Sequence, residues 1–120
     1  TDFGCLTLLL QNDEAGLEVM SPSCEWMAIP ASREHLVVNI GDMMARWTND
    51  RYASTRHRVV NRSGKTRHSM AYFFDPDAQA DLAPLPNCLD EGESRHYGDA
   101  TALEHLLMKI EQSFEYRQER

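Results

Sequence analysis

The sequence predicts an all-β barrel or sandwich of short strands that ends in a single C-terminal helix. Three observations lead there. The first two-thirds of the chain divides into β-compatible runs separated by turn residues at close spacing. No strand–helix–strand alternation of the parallel α/β kind interrupts those runs. From residue 101 onward the apolar residues recur at helical rather than strand spacing.

The elements follow in order. Cys5 to Gln11 is rich in Leu and Thr and ends in the turn-forming stretch Asn12-Asp13-Glu14-Ala15-Gly16. Leu17 to Met20 alternates apolar and charged residues before Ser21-Pro22-Ser23 breaks it, and Glu25 to Ile29 closes at Pro30. Leu36 to Ile40 stops at Gly41-Asp42. Met43 to Thr48 is compatible with a strand or a helical turn. Ala53 to Val60 and Arg67 to Phe74 are predicted to pair as a hairpin around Arg62-Ser63-Gly64, with Gly64 in the left-handed conformation. That register sets His57 opposite Ser69 and Val59 opposite Arg67, so the four share one face. Residues 75–100 carry Pro76, Pro84 and Pro86 without periodicity and read as a long surface loop. Thr101 and Glu104 form a capping box, and Leu103, Leu106, Leu107, Ile110 and Phe114 are expected to make the packing stripe of an amphipathic helix.

Composition narrows the function. At 120 residues the chain suits one domain, and 42% hydrophobic with 26% charged residues is ordinary globular composition. The apolar runs are far shorter than the roughly 20 residues a membrane span needs. Three cysteines without CxxC spacing indicate neither a disulfide framework nor a zinc knuckle, so a reducing, cytoplasmic setting is expected. Cys24 and Cys88 read as buried small residues, and Trp26 and Trp47 as core or pocket wall. The net charge of −7 is uneven: residues 46–68 carry seven bases against Asp50, while both flanks are acidic. An acidic chain with a basic middle argues against general nucleic-acid binding and suits a local anion site.

Two constellations carry chemistry. Asp2 and His57 are candidate metal ligands, because a mononuclear non-haem iron site uses two His and one carboxylate on one face and leaves other positions open. Taken alone, a strand histidine beside Val59 is ordinarily structural. Arg67 and Ser69, at i and i+2, can clamp one carboxylate through a guanidinium fork and a hydroxyl. The ordinary alternative pairs Arg67 with a nearby Asp or Glu. His68 should face away from Arg67, and no nucleophile-elbow spacing supports a hydrolase.

Five ordered motifs then point one way: Thr1-Asp2-Phe3-Gly4-Cys5-Leu6-Thr7-Leu8-Leu9, Val38-Asn39-Ile40-Gly41-Asp42, Trp47-Thr48-Asn49-Asp50, Ser54-Thr55-Arg56-His57-Arg58-Val59-Val60 and Arg67-His68-Ser69. Together they resemble the isopenicillin N synthase-like branch of the Fe(II)/2-oxoglutarate-dependent oxygenases, tightly over residues 1–76 and loosely beyond. The resemblance implies a double-stranded β-helix, or jelly roll, incomplete in this chain. Residues 1–74 would form the C-terminal part of the oxygenase jelly roll, and 75–120 an acidic loop and amphipathic helix packed on it. It implies Asp2 and His57 as ligands of Fe(2+), and Arg67 and Ser69 as the grip on the distal carboxylate of 2-oxoglutarate. It further implies O2 and a small-molecule substrate that is hydroxylated, desaturated or cyclised, with release of succinate and CO2.

The resemblance puts the first His ligand immediately before Thr1, so the chain is expected to be part of a longer enzyme whose upstream half is its partner. With two ligands, the isolated chain is expected to bind Fe(II) weakly and turn over little. Two other functions stay open: an iron oxidase that does not use 2-oxoglutarate, and a non-catalytic relative acting as a binding or scaffold module. Unpaired strands and an uncovered apolar face are expected to favour self-association.

Overall fold

A computed structural model describes residues 1–118, so the last two residues of the 75–120 segment lie outside the described ones. Strand β1 (Leu6–Gln11) is followed by β2 (Leu17–Met20), β3 (Trp26–Ala28), β4 (Leu36–Ile40), helix α1 (Asp42–Trp47), β5 (His57–Val59), β6 (Ser69–Phe74) and helix α2 (Ala102–Gln118). The strands form two antiparallel three-stranded sheets, ordered β4-β1-β6 and β3-β2-β5. Among the described residues only β2 and β3 are consecutive strands of one sheet, and the other strand-to-strand connections cross between sheets, as in a jelly roll. The inner faces line a shared cavity, to which Thr7, Asn39 and Phe73 contribute from the first sheet and Leu17, Val19 and His57 from the second.

The predicted hairpin does not form. Its first arm joins β2, with Leu17 opposite Val59 and Val19 opposite His57, and its second joins β1, with Gln11 opposite Ser69. The bend itself is as expected: Gly64 has φ +70° and the Asn61 side chain closes it by donating to the Lys65 carbonyl at 2.7 Å. What separates the arms is where each finds partners. The Glu18 carboxylate accepts from Arg58 at 2.7 Å and from Arg62, and Val60 N–H donates to Gly16 O, which fixes the first arm to β2. Asn12 receives the second arm by exchanging hydrogen bonds with the His68 backbone. His57, Val59, Arg67 and Ser69 nevertheless border one cavity, because the arms face each other across the sandwich.

The segment left open between strand and helix is α1. Thr48 closes it by donating its hydroxyl to Met44 O at 2.8 Å. Met43 sits in a core with Cys5, Leu82 and Ala102. Leu82 lies in the acidic loop, which is therefore pinned inward by one wholly buried side chain. The capping box forms, with Thr101 N–H donating to Glu104 Oε2 at 2.8 Å and Glu104 N–H to Thr101 Oγ1 at 3.3 Å.

The expected packing stripe of α2 is overturned. Leu103, Leu107, Ile110 and Phe114 are exposed, whereas Ala102 and His105 are buried. Polar anchors set the rotation: His105 Nε2 donates to Phe3 O at 3.2 Å, and Lys109 Nζ pairs with Asp42 at 2.8 Å. Cys24 is exposed and Cys88 half-buried, and Trp26 lies outside the core under the Arg58 guanidinium, 4.0 Å from its ring centre. Trp47 does pack against the core.

Candidate metal and carboxylate site

The site begins at the loop that precedes β1. Asp2 is held there by its own backbone, whose carbonyl accepts from Asp42 N–H at 2.8 Å. Its Oδ2 accepts from Thr7 Oγ1 at 2.6 Å and from Asn39 Nδ2 at 2.8 Å. Thr7 and Asn39 are direct cross-strand partners on β1 and β4, so one sheet register supplies both donors. Burial pushes the Asp2 carboxyl up, but these two hydrogen bonds, with the His57 ring, outweigh it and hold it below the usual carboxylate range.

His57 opens β5. Its Nδ1 lies 3.1 Å from Thr55 O. A carbonyl only accepts, so Nδ1 carries a proton, which leaves Nε2 as the ring atom that faces Asp2 and could ligate a metal. That Nε2 is 3.5 Å from Asp2 Oδ1. Two donors bonded to one ion at about 2.0–2.2 Å each would stand about 3 Å apart at a right angle. A carboxylate oxygen and an imidazole nitrogen at this spacing fit a divalent ion such as Fe(II), and their other atoms are already committed, as ligand-orienting partners require. Among the described residues no group of three or more His, Cys, Asp or Glu converges as a metal site.

Arg67 and Ser69 lie on the same cavity of about 170 Å³ as Asp2 and His57. Arg67 Nη1 donates to Ser69 Oγ at 3.3 Å and Nη2 to Gln11 Oε1 at 2.7 Å, while its Nε is buried with no partner. Among the described residues no Asp or Glu forms a salt bridge with Arg67, unlike Arg58, Arg62 and Arg95. A guanidinium without a counter-ion beside an apolar cavity is chemically able to receive a carboxylate. His68 faces elsewhere, in a surface pocket with Leu10 and Met70.

The sequence reading gave no role to Thr7, Gln11 or Asn39. A signal existed for two of them: Thr7 and Gln11 are polar residues four apart on one face of an otherwise apolar strand, and buried polar groups need partners.

Comparison with known proteins bears on this geometry. The family model described as "2OG-Fe(II) oxygenase superfamily" matches residues 1–76. A 2-oxoglutarate-Fe(II) type oxidoreductase, hxnY of Emericella nidulans, is 42% identical over 115 residues, covering 95% of this chain and 33% of the relative. A homoarginine-6-hydroxylase of Oryza sativa is 38% identical over 116 residues, covering 95% of this chain and 35% of the relative. The crystal structure of the full-length Neurospora crassa T7H in complex with alpha-KG superimposes with a TM-score of 0.86 at 32% identity, over 94% of this chain and 36% of that one. The chain thus spans about a third of the length of the curated relatives it matches.

Proposed function

This chain belongs to the 2OG-Fe(II) oxygenase superfamily, and we propose that it contributes the Asp2 and His57 metal ligands and the Arg67–Ser69 clamp to an oxygenase acting on a small organic molecule. The observation that carries this reading is the meeting of a carboxylate–imidazole pair and an uncompensated guanidinium on one cavity between the sheets. Bound Fe(II) and 2-oxoglutarate would supply the oxidative chemistry, in which O2 is consumed, succinate and CO2 are released, and a second substrate is hydroxylated, desaturated or cyclised. The chain's own residues do the positioning. Thr7 and Asn39 fix the Asp2 carboxylate, Thr55 O fixes the His57 tautomer, and Arg67 with Ser69 would receive the carboxylate of 2-oxoglutarate farthest from the metal. Leu9, Val37 and Phe73 line the cavity with apolar surface, which limits water around those charges.

The five ordered motifs favour the isopenicillin N synthase-like branch. In this reading residues 1–74 hold the site and residues 75–120 pack beside it, the remaining third of the ligand set being contributed by the upstream part of a parent enzyme. Free Cys5, Cys24 and Cys88 suit the cytoplasm. The excess of acid suits neither nucleic acid nor an anionic membrane, and no helix among the described residues is long and apolar enough to cross one.

The test is a chimera in which this chain replaces the matching third of the Emericella relative. Succinate formation that requires 2-oxoglutarate and Fe(II) is expected, with Asp2→Ala or His57→Ala reducing it at least a hundredfold, in the range set by loss of a metal ligand or its support. Arg67→Gln should raise the KM for 2-oxoglutarate with a smaller effect on kcat. Oxidation of a substrate with no 2-oxoglutarate consumed would instead identify an iron oxidase. A folded chimera that binds no metal would identify a non-catalytic binding module.

A further inference from the structure

The clamp includes a residue that neither the sequence motifs nor the comparisons assign. Gln11 is the last residue of β1, sits directly opposite Ser69 in the β1–β6 register, and is only 3% exposed. Its Oε1 accepts from Arg67 Nη2 at 2.7 Å, while Ser69 Oγ accepts from Nη1. The two ends of the guanidinium are therefore held by a pair of cross-strand neighbours. The stem is restrained from below: a Cβ built on Gly16 would lie 3.3 Å from Arg67 Cδ and 3.5 Å from Nε.

We infer that Gln11 is a positioning residue, orienting Arg67 so that the cavity prefers a 2-oxo diacid over a 2-oxo monoacid of the same length. This rests on the reading that Arg67 receives the distal carboxylate. The chemistry of an amide decides the matter. A carboxylate at position 11 would orient the guanidinium equally well but would neutralise it, whereas the glutamine oxygen fixes its direction and leaves its full charge for the ligand. Arginine otherwise carries large rotamer freedom, which binding would have to remove. Pre-orienting it raises affinity for any ligand whose second carboxylate reaches the fork, and does nothing for a ligand that lacks one.

The experiment compares 2-oxoglutarate with 2-oxopentanoate, which has the same length but no distal carboxylate. Dissociation constants for both are measured by ligand-observed NMR on the full chain, in the wild type and in Gln11→Met, Gln11→Leu and Arg67→Gln. The two Gln11 variants keep close to the original volume, and a melting curve checks each fold. The wild type is expected to prefer the diacid, and Arg67→Gln to abolish the preference. Gln11→Met and Gln11→Leu should reduce it about tenfold, the equivalent of one well-made hydrogen bond, with 2-oxopentanoate changing less than about twofold on that scale. As a ligand-free readout, the Arg67 Nε–H resonance should exchange with water faster in both variants. If Arg67→Gln abolishes the preference and the Gln11 variants leave it unchanged, the role of Gln11 is wrong and the Arg67 reading stands. Equal weakening of both ligands would assign Gln11 a structural role and overturn the inference. If the wild type shows no preference, or Arg67→Gln leaves one intact, the Arg67 reading itself fails.

Discussion

A Cβ on Gly41 would stand 2.2 Å from the Gly4 carbonyl oxygen and 3.0 Å from that of Asp2. The backbone there is extended, with φ −100°, so the glycine answers to the close approach of two chain segments and not to an unusual conformation. Because the neighbours are backbone, they cannot swing aside as a side-chain tip would. Gly41→Ala is expected to cost about 1–3 kcal/mol of stability, the range for forced overpacking, and to displace Asp2 with the loop that carries it. Thermal melting together with Mn(II) titration checks this: both should fall, while Gly98→Ala, whose Cβ would meet nothing within 4 Å, should change neither. If Gly41→Ala melts like the wild type, the close approach is not what fixes Asp2. In the sequence Gly41 reads only as a strand stop, because the segment it touches lies 37 residues earlier. Asp2, His57, Arg67 and Ser69 were legible as candidates because side-chain type and motif order single them out, and the fold brings them to one cavity. Thr7, Asn39 and Gln11 act through cross-strand partners, which no spacing along the chain reveals.

At the scale of single elements, α2 ties its capped start to the site through His105. Burial lowers the pKa of this imidazole, the Phe3 carbonyl partly offsets that, and the charges of Arg46 and Lys109 add to the lowering. The folded state thus keeps His105 neutral at a pH where the unfolded chain, with an ordinary pKa near about 6.5, takes up a proton. The unfolded state then binds more protons, so stability is full above that pH and falls as pH drops through it towards the lowered folded value. Asp42, held low by Lys109 and Ser54 against the opposing effect of burial, loses its contribution only at lower pH, below the ordinary carboxylate range. Melting temperatures measured from pH 7.5 to 5.5 should decline, and His105→Gln, which keeps a donor for Phe3 O, should flatten that decline. An identical slope in the variant would remove His105 as its source. The cap of α2 was legible because Thr101 and Glu104 are local to it; the buried face was not, because distant polar anchors chose it over the apolar stripe. The lost hairpin has the same cause: the bend was encoded locally, while Glu18 and Asn12 decided the strand partners.

For the whole molecule, strand existence was readable from runs and turns and the jelly-roll fold came with the family resemblance, but neither showed which strands share a sheet. The reason is visible in β1: Leu6, Leu8 and Leu10 point one way and Thr7, Leu9 and Gln11 the other, and it is the face with Thr7 and Gln11 that is buried, so alternation points to the wrong inside. The sheet β4-β1-β6 consequently presents an outer grid of apolar rows, Leu36–Leu10–Met70, Val38–Leu8–Tyr72 and Ile40–Leu6–Phe74. Met70 is 71% and Tyr72 64% exposed, and the α2 stripe from Leu103 to Phe114 adds a second uncovered apolar surface. Among the described residues the buried apolar side chains are few: Cys5, Leu17, Met43, Ala45, Leu82 and Ala102. The radius of gyration, 16.2 Å, exceeds the value of about 13.6 Å for a compact domain of this length. A chain with this much apolar surface in water should self-associate, since burying it is favourable by about 25 cal/mol per Å². Sedimentation equilibrium on the 120-residue chain is expected to show dimers or larger species in the micromolar range. Met70→Lys with Tyr72→Lys should shift it towards monomer while leaving the melting temperature nearly unchanged, because both side chains point into solvent. A wild-type chain that sediments as a monomer throughout that range would mean that the outer face is tolerated in water as it stands.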